Sequence, residues 1–173
     1  MSKIKKIILG VLLLLLVATI LTGCGEKNMH PTRQSLNFLG HKNVHELILT
    51  IYYMNPSALT VIPLSVDDLI RNSEYRIVVS GSILRDYIDL LNRLGNTVLV
   101  PVEQESYLNT RLYYVFETEQ NGKIFDVAMW GGENNSIFVN EVEVEGTAIF
   151  YDVIKPFLPE AVAKDFEDYV ARI

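Results

Sequence analysis

Two runs of alternating character, RLYYVFETE (residues 111–119) and KIFDVAMW (residues 123–130), flank Asn121-Gly122. Alternation with period two marks a half-buried strand, and Asn-Gly between two such runs is the strongest short-range hairpin signal. The chain is thereby committed to an antiparallel ladder with one apolar face. Two loop lengths compete. A two-residue turn aligns Leu112, Tyr114 and Phe116 with Phe125, Val127 and Met129. A three-residue turn pairs Glu119 with Lys123 but sets Phe116 opposite Asp126. Burying large apolar side chains is worth roughly 1.5–3 kcal/mol each, against under ~1 kcal/mol for one exposed ion pair. The two-residue turn is therefore expected, type I′, with both central residues at positive φ. It sets Glu117 opposite Asp126 and Tyr113 opposite Trp130 on the second face, at the cost of facing like charges.

Around this hairpin the pattern mixes strands and helices. Residues 44–54 (VHELILTIYYM) and 75–80 (YRIVVS) are β-branched and aromatic, and read as strands. Ser65 with Asp68 three residues on opens a short helix through a capping box in which Asp replaces Glu. Ile83, Leu84, Tyr87, Ile88, Leu91 and Leu94 form a helical stripe, with Gly95 placed as a left-handed cap. Residues 97–102 form a weaker strand, 136–140 another, and EVEVE (141–145) alternates acid with valine. Residues 147–158, then a segment opened by Pro159, repeat apolar residues at helical spacing. The expected class is α+β: an antiparallel-rich sheet with helices packed on one face, preceded by a signal-peptide helix.

The amino terminus is different in kind. Lys3, Lys5 and Lys6 precede an uncharged apolar run over residues 7–22. This is shorter than the ~20 apolar residues a spanning helix needs and has the layout of a secretory signal peptide. It ends in Leu21-Thr22-Gly23-Cys24, which holds the chain's one cysteine. The segment 1–24 resembles the signal peptide and lipobox of bacterial membrane lipoproteins. That resemblance implies diacylglyceryl transfer to the Cys24 thiol, cleavage before it, and residence on the outer face of the cytoplasmic membrane or in the cell envelope. Acyl chains add ~0.8 kcal/mol per buried methylene, and two or more give stable anchoring. The domains read as 1–23 signal peptide, 24–43 lipidated cysteine and flexible tether, and 44–173 a single globular domain. A lone cysteine makes no internal disulfide.

With the three leader lysines removed, 12 basic residues face 21 acidic ones, a formal charge of −9. Such a body is repelled by nucleic acid. No G-x-S-x-G, H-E-x-x-H or P-loop pattern occurs. His30, His41 and His45 lie in or beside the tether, where the spacing of the last two does not converge on a metal if the segment enters a strand. No cofactor or metal is expected. The candidate interaction face is Tyr113, Glu117, Asp126 and Trp130, with Glu141, Glu143 and Glu145 on one side of a strand. The bland reading of the three glutamates is a charged edge that blocks pairing; the functional one is a surface for a basic protein partner. Three functions follow in order. The first is a membrane-anchored lipoprotein with a non-catalytic binding or accessory domain. The second is a small envelope hydrolase using Glu117 and Asp126 as a carboxylate pair. The third, a solute-binding protein, fits poorly because its usual two-lobed body is far larger.

Overall fold

The structure, a computed structural model, describes residues 44–102, 109–129 and 136–170, with side chains placed up to residue 167. The leader, Cys24, the tether with His30 and His41, and Trp130 lie outside the described residues. Six strands form one sheet: β1 (Leu47–Tyr53), β2 (Tyr75–Ser80), β3 (Leu112–Thr118), β4 (Gly122–Met129), β5 (Ile137–Val139) and β6 (Val142–Val144). All pairings are antiparallel, in the order β2-β1-β3-β4-β5-β6. The helices are α1 (Val66–Asn72), α2 (Gly81–Leu84), α3 (Ile88–Gly95), α4 (Ile149–Asp152) and α5 (Glu160–Val170). The α+β class holds.

Pleat assigns the faces. Leu47, Leu49, Ile51 and Tyr53 of β1 join Leu112, Tyr114 and Phe116 of β3 and Phe125, Val127 and Met129 of β4 in the main core. Leu84, Leu91, Leu94, Phe150, Val162 and Phe166 cover them from the helices, with Ile154 from the turn after α4. The second face is not bare. Leu69 of α1 packs there with Tyr113, Val115, Ala128 and Phe138. The Ser65 cap that starts α1 has both expected bonds: Asp68 N–H to Ser65 Oγ at 3.1 Å and Ser65 N–H to Asp68 Oδ2 at 3.2 Å.

Two expected helices are broken. The stripe over residues 83–94 is interrupted by a 3-10 turn at Arg85–Tyr87, which leaves Ile83 half exposed. Gly95 stays helical and buried, and Asn96 is the cap, so no left-handed glycine ends this helix. The run after residue 147 splits at a 3-10 turn, Lys155–Phe157, where Pro156 has no N–H to continue a helix.

The hairpin corrects the expected register. Thr118 faces Gly122 and Glu117 faces Lys123, so the loop has three residues, and of the turn only Gly122 has positive φ, at 63°. The ladder then shifts by one residue between Phe116 and Glu117, and Phe116 faces Phe125, not Asp126. A bulge takes up the extra residue, Ile124. The inserted residue keeps Phe116 opposite an apolar partner and sets Glu117, not Glu119, opposite Lys123. Glu117 and Asp126 are not opposite one another; Asp126 faces Val115, and Tyr113 faces Ala128 rather than Trp130. A Cβ on Gly122 would meet nothing within 4 Å. Gly122→Ala should therefore cost only the left-handed backbone penalty, about 1–2 kcal/mol, read as a shifted denaturation midpoint. An unchanged midpoint would mean the turn is not left-handed.

A two-residue turn lies instead between β5 and β6, within the run NEVEVE. Asn140 (φ 47°) and Glu141 (φ 71°) join β5 to β6, both at positive φ in the type I′ pattern. Hence Glu141, Glu143 and Glu145 do not share a strand face. Glu141 is in the turn, Glu143 is buried in β6, and Glu145 lies past its end, exposed.

Candidate functional site

The second face of the sheet carries a row across all six strands. Arg76, Tyr52, Tyr113, Ala128, Phe138 and Glu143 face one another pairwise. The Tyr52 and Tyr113 rings stack at 6.0 Å, and the Arg76 guanidinium sits 5.9 Å from the Tyr52 centroid. A row of aromatic and charged residues on a sheet face is favoured by cross-strand pairing.

Beside this row Asp126 gathers polar partners. Tyr113 Oη donates to its Oδ2 at 3.0 Å and Lys123 Nζ donates to the same oxygen at 2.9 Å. Lys123 reaches Asp126 because the bulge at Ile124 brings residue 123 round to the same face. Asn140 is tied to the Asp126 backbone in both directions: Asp126 N–H donates to Asn140 Oδ1 and Asn140 N–H to the Asp126 carbonyl, each at 3.0 Å. The turn that carries Glu141 is thereby fixed over Asp126. Val66, Tyr113, Asp126, Ala128, Phe138 and Glu141 line a pocket of about 140 Å³. A larger hollow of about 380 Å³ lies at the hairpin end, between residues 45–48, 80–81 and 118–120. It is the smaller pocket that joins apolar walls to convergent polar groups, the usual form of a binding site.

The electrostatics follow the contacts. Burial pushes the Tyr113 pKa well up, and the Asp126 charge, its hydrogen bond and the Glu117 charge add to this. The hydrogen bond to Asp126 raises the Lys123 pKa, and the charges of Asp126 and Glu141 contribute further. Tyr113 thus stays protonated and Lys123 charged near neutrality. The arrangement stabilises positive charge in front of an apolar pocket. Among the described residues no three His, Cys, Asp or Glu side chains converge to hold a metal.

Of the residues singled out by sequence, Tyr113, Asp126 and Glu141 come together. Glu117 shares the face and faces Lys123, and Glu143 lies at the far end of the cross-strand row. Glu145 lies beyond the end of β6 and does not line the pocket. Lys123 and Asn140 were missed as site residues. Asn140 had a signal, since Asn is the residue after glycine that best accepts positive φ. Lys123 had none, because its approach depends on the bulge. No family model, curated protein or solved structure matches this chain.

Proposed function

We propose that the protein is a lipoprotein held on the outer face of the bacterial membrane through Cys24, whose body is a binding module for a basic group on a protein partner. The anchoring rests on the lipobox. The binding role rests on the pocket under the Asn140-Glu141 turn. Val66, Ala128 and Phe138 offer walls for a methylene stem, and Asp126 and Glu141 offer carboxylates for its ammonium. Lys123 gives the measure of that fit, since its own ammonium docks on Asp126 at 2.9 Å while its side chain remains nearly half exposed. An incoming lysine would take up or share this contact. The acidic body would steer a basic partner toward it. The hydrolytic reading took Glu117 and Asp126 as facing carboxylates; in the observed register Asp126 faces Val115 and Glu117 faces Lys123.

The test is calorimetric titration of the purified protein with a short lysine–alanine peptide at low salt. Asp126→Asn with Glu141→Gln should weaken binding by about tenfold or more, as expected for losing two charged contacts. Added salt should weaken the wild-type interaction. Equal binding by the double variant, or none by the wild type, would overturn the assignment.

A further inference from the structure

Residues 47–66 contain no charged side chain, and within them the loop over 55–64 exposes Leu59 and Val61 completely and Ile62 by 65 %. An aliphatic loop left to itself folds back onto the protein. This one is fastened in place. Arg111, only 4 % exposed, donates through Nη2 to the Ala58 carbonyl at 3.3 Å and to Thr60 Oγ1 at 3.0 Å. Its Nη1 donates to Asn109 Oδ1 at 2.9 Å, and the same oxygen accepts from Leu64 N–H at 3.1 Å. Thr110 N–H closes the frame on the Leu64 carbonyl at 2.8 Å. A buried guanidinium and two polar neighbours hold the backbone while the apolar side chains point to solvent. Large exposed apolar groups on a rigid frame mark an interaction surface.

We propose that this is a membrane-docking loop: Leu59, Val61 and Ile62 insert into the acyl boundary of the bilayer to which Cys24 anchors the chain. The inference rests on the anchoring part of the reading above. Three observations favour lipid as the occupant. The loop presents exposed aliphatic side chains, which a fluid acyl boundary receives without a preformed cavity. No charge need be dehydrated along it. The chain also reaches: the 19 residues between Cys24 and Val44 can extend to about 65 Å, whereas the seven residues of β1 separate the loop from the Val44 end by only ~23 Å. Tethering makes insertion intramolecular, so three aliphatic side chains suffice to orient a domain they would not recruit unaided. The acidic body favours uncharged head groups.

The experiment uses the full acylated chain in phosphatidylcholine vesicles. Val61→Cys carries an environment-sensitive dye; with the Cys24 thiol alkylated, the new thiol is the one that reacts. Glu119→Cys, exposed on the hairpin loop at the other end of the sheet, is the control. The dye at 61 should shift to the blue, and lipids brominated along the acyl chain should quench it several-fold more than the dye at 119. Adding Leu59→Asp and Ile62→Asp should abolish the difference. Replacing a third of the lipid with an anionic one should reduce it. Equal, weak quenching at both sites with Cys24 acylated would overturn the docking loop and leave the anchor standing. A blue shift without bromine quenching would mean that protein, a second copy of the chain, covers the loop, and would also overturn it. A Cys24 that carries no lipid, seen in the mass of the amino-terminal peptide, would remove the anchor and the proposal with it.

Discussion

Above pH 10 the protein is expected to lose stability at up to about 5 kcal/mol per pH unit. Tyr53, Tyr113, Tyr114 and Tyr151 are all buried. Burial is the main cause that raises each phenol above its ordinary value: Tyr151 is pushed up to about 12, Tyr53 and Tyr113 higher still, and Tyr114 well above its ordinary value. Tyr53 is raised further by its 2.8 Å hydrogen bond to Asp165 and that carboxylate's charge. In the unfolded chain these phenols titrate near 10. Between pH 10 and the folded values the unfolded state therefore binds fewer protons. The stabilisation is complete below pH 10 and is lost as pH rises through and beyond 12. Each proton is worth about 1.4 kcal/mol per pH unit, and four of them would exhaust a typical stability of 5–15 kcal/mol within a few units. Urea midpoints measured from pH 8 to 12, with tyrosinate absorbance read in parallel, would test this. Tyr114→Phe should reduce the slope by one proton's share. It should cost little stability, since the Tyr114 hydroxyl is buried and finds no hydrogen-bond partner among the described residues. Phenols that ionise near pH 10 while the fold persists would contradict the packing described.

Gly81→Ala should be far more damaging than Gly122→Ala. Gly81 opens α2 directly after β2 and is buried. A Cβ there would stand 2.1 Å from the Val44 carbonyl oxygen and 2.6 Å from both the carbon and the oxygen of the His45 carbonyl. These are backbone atoms of the 3-10 turn Val44–Glu46, so no side-chain rotation relieves the clash. The turn must move, and with it the start of β1, a central strand of the sheet. Overpacking of this kind costs about 1–3 kcal/mol and occasionally more; contact with backbone on both residues puts this case at the upper end. Thermal and urea unfolding should show a larger loss for Gly81→Ala than for Gly122→Ala. A Gly81→Ala protein within ~0.5 kcal/mol of wild type would mean that the 44–46 turn does not pack on α2.

Beyond the bulge, the face of each hairpin residue was legible in the sequence and the pairing was not, for one reason. Sliding β4 along β3 by two residues leaves every side chain on the same face, so burial of Leu112, Tyr114, Phe116, Phe125, Val127 and Met129 cannot tell the two registers apart. The bulge at Ile124 decides between them; it breaks the alternation at Ile124-Phe125, two apolar neighbours that a strand beginning at Phe125 would also show. The cap of α1 was legible because Ser65 and Asp68 interact within one turn. The β5–β6 turn was hidden because glutamate at positive φ is uncommon, so NEVEVE looked like continuous strand. The fastening of the apolar loop by Arg111 lay beyond local reading altogether, since its partners Ala58 and Thr60 are 53 and 51 residues away.

Membrane anchoring through Cys24 underlies both the proposed function and the docking loop. The most direct measurement is the mass of the amino-terminal peptide of the protein recovered from the membrane fraction of a bacterium that expresses it. The expected peptide begins at Cys24 and carries a diacylglyceryl group on the thiol, and Cys24→Ser leaves the leader uncut. A chain that still begins at Met1, or one whose Cys24 is present with a free thiol, would contradict it.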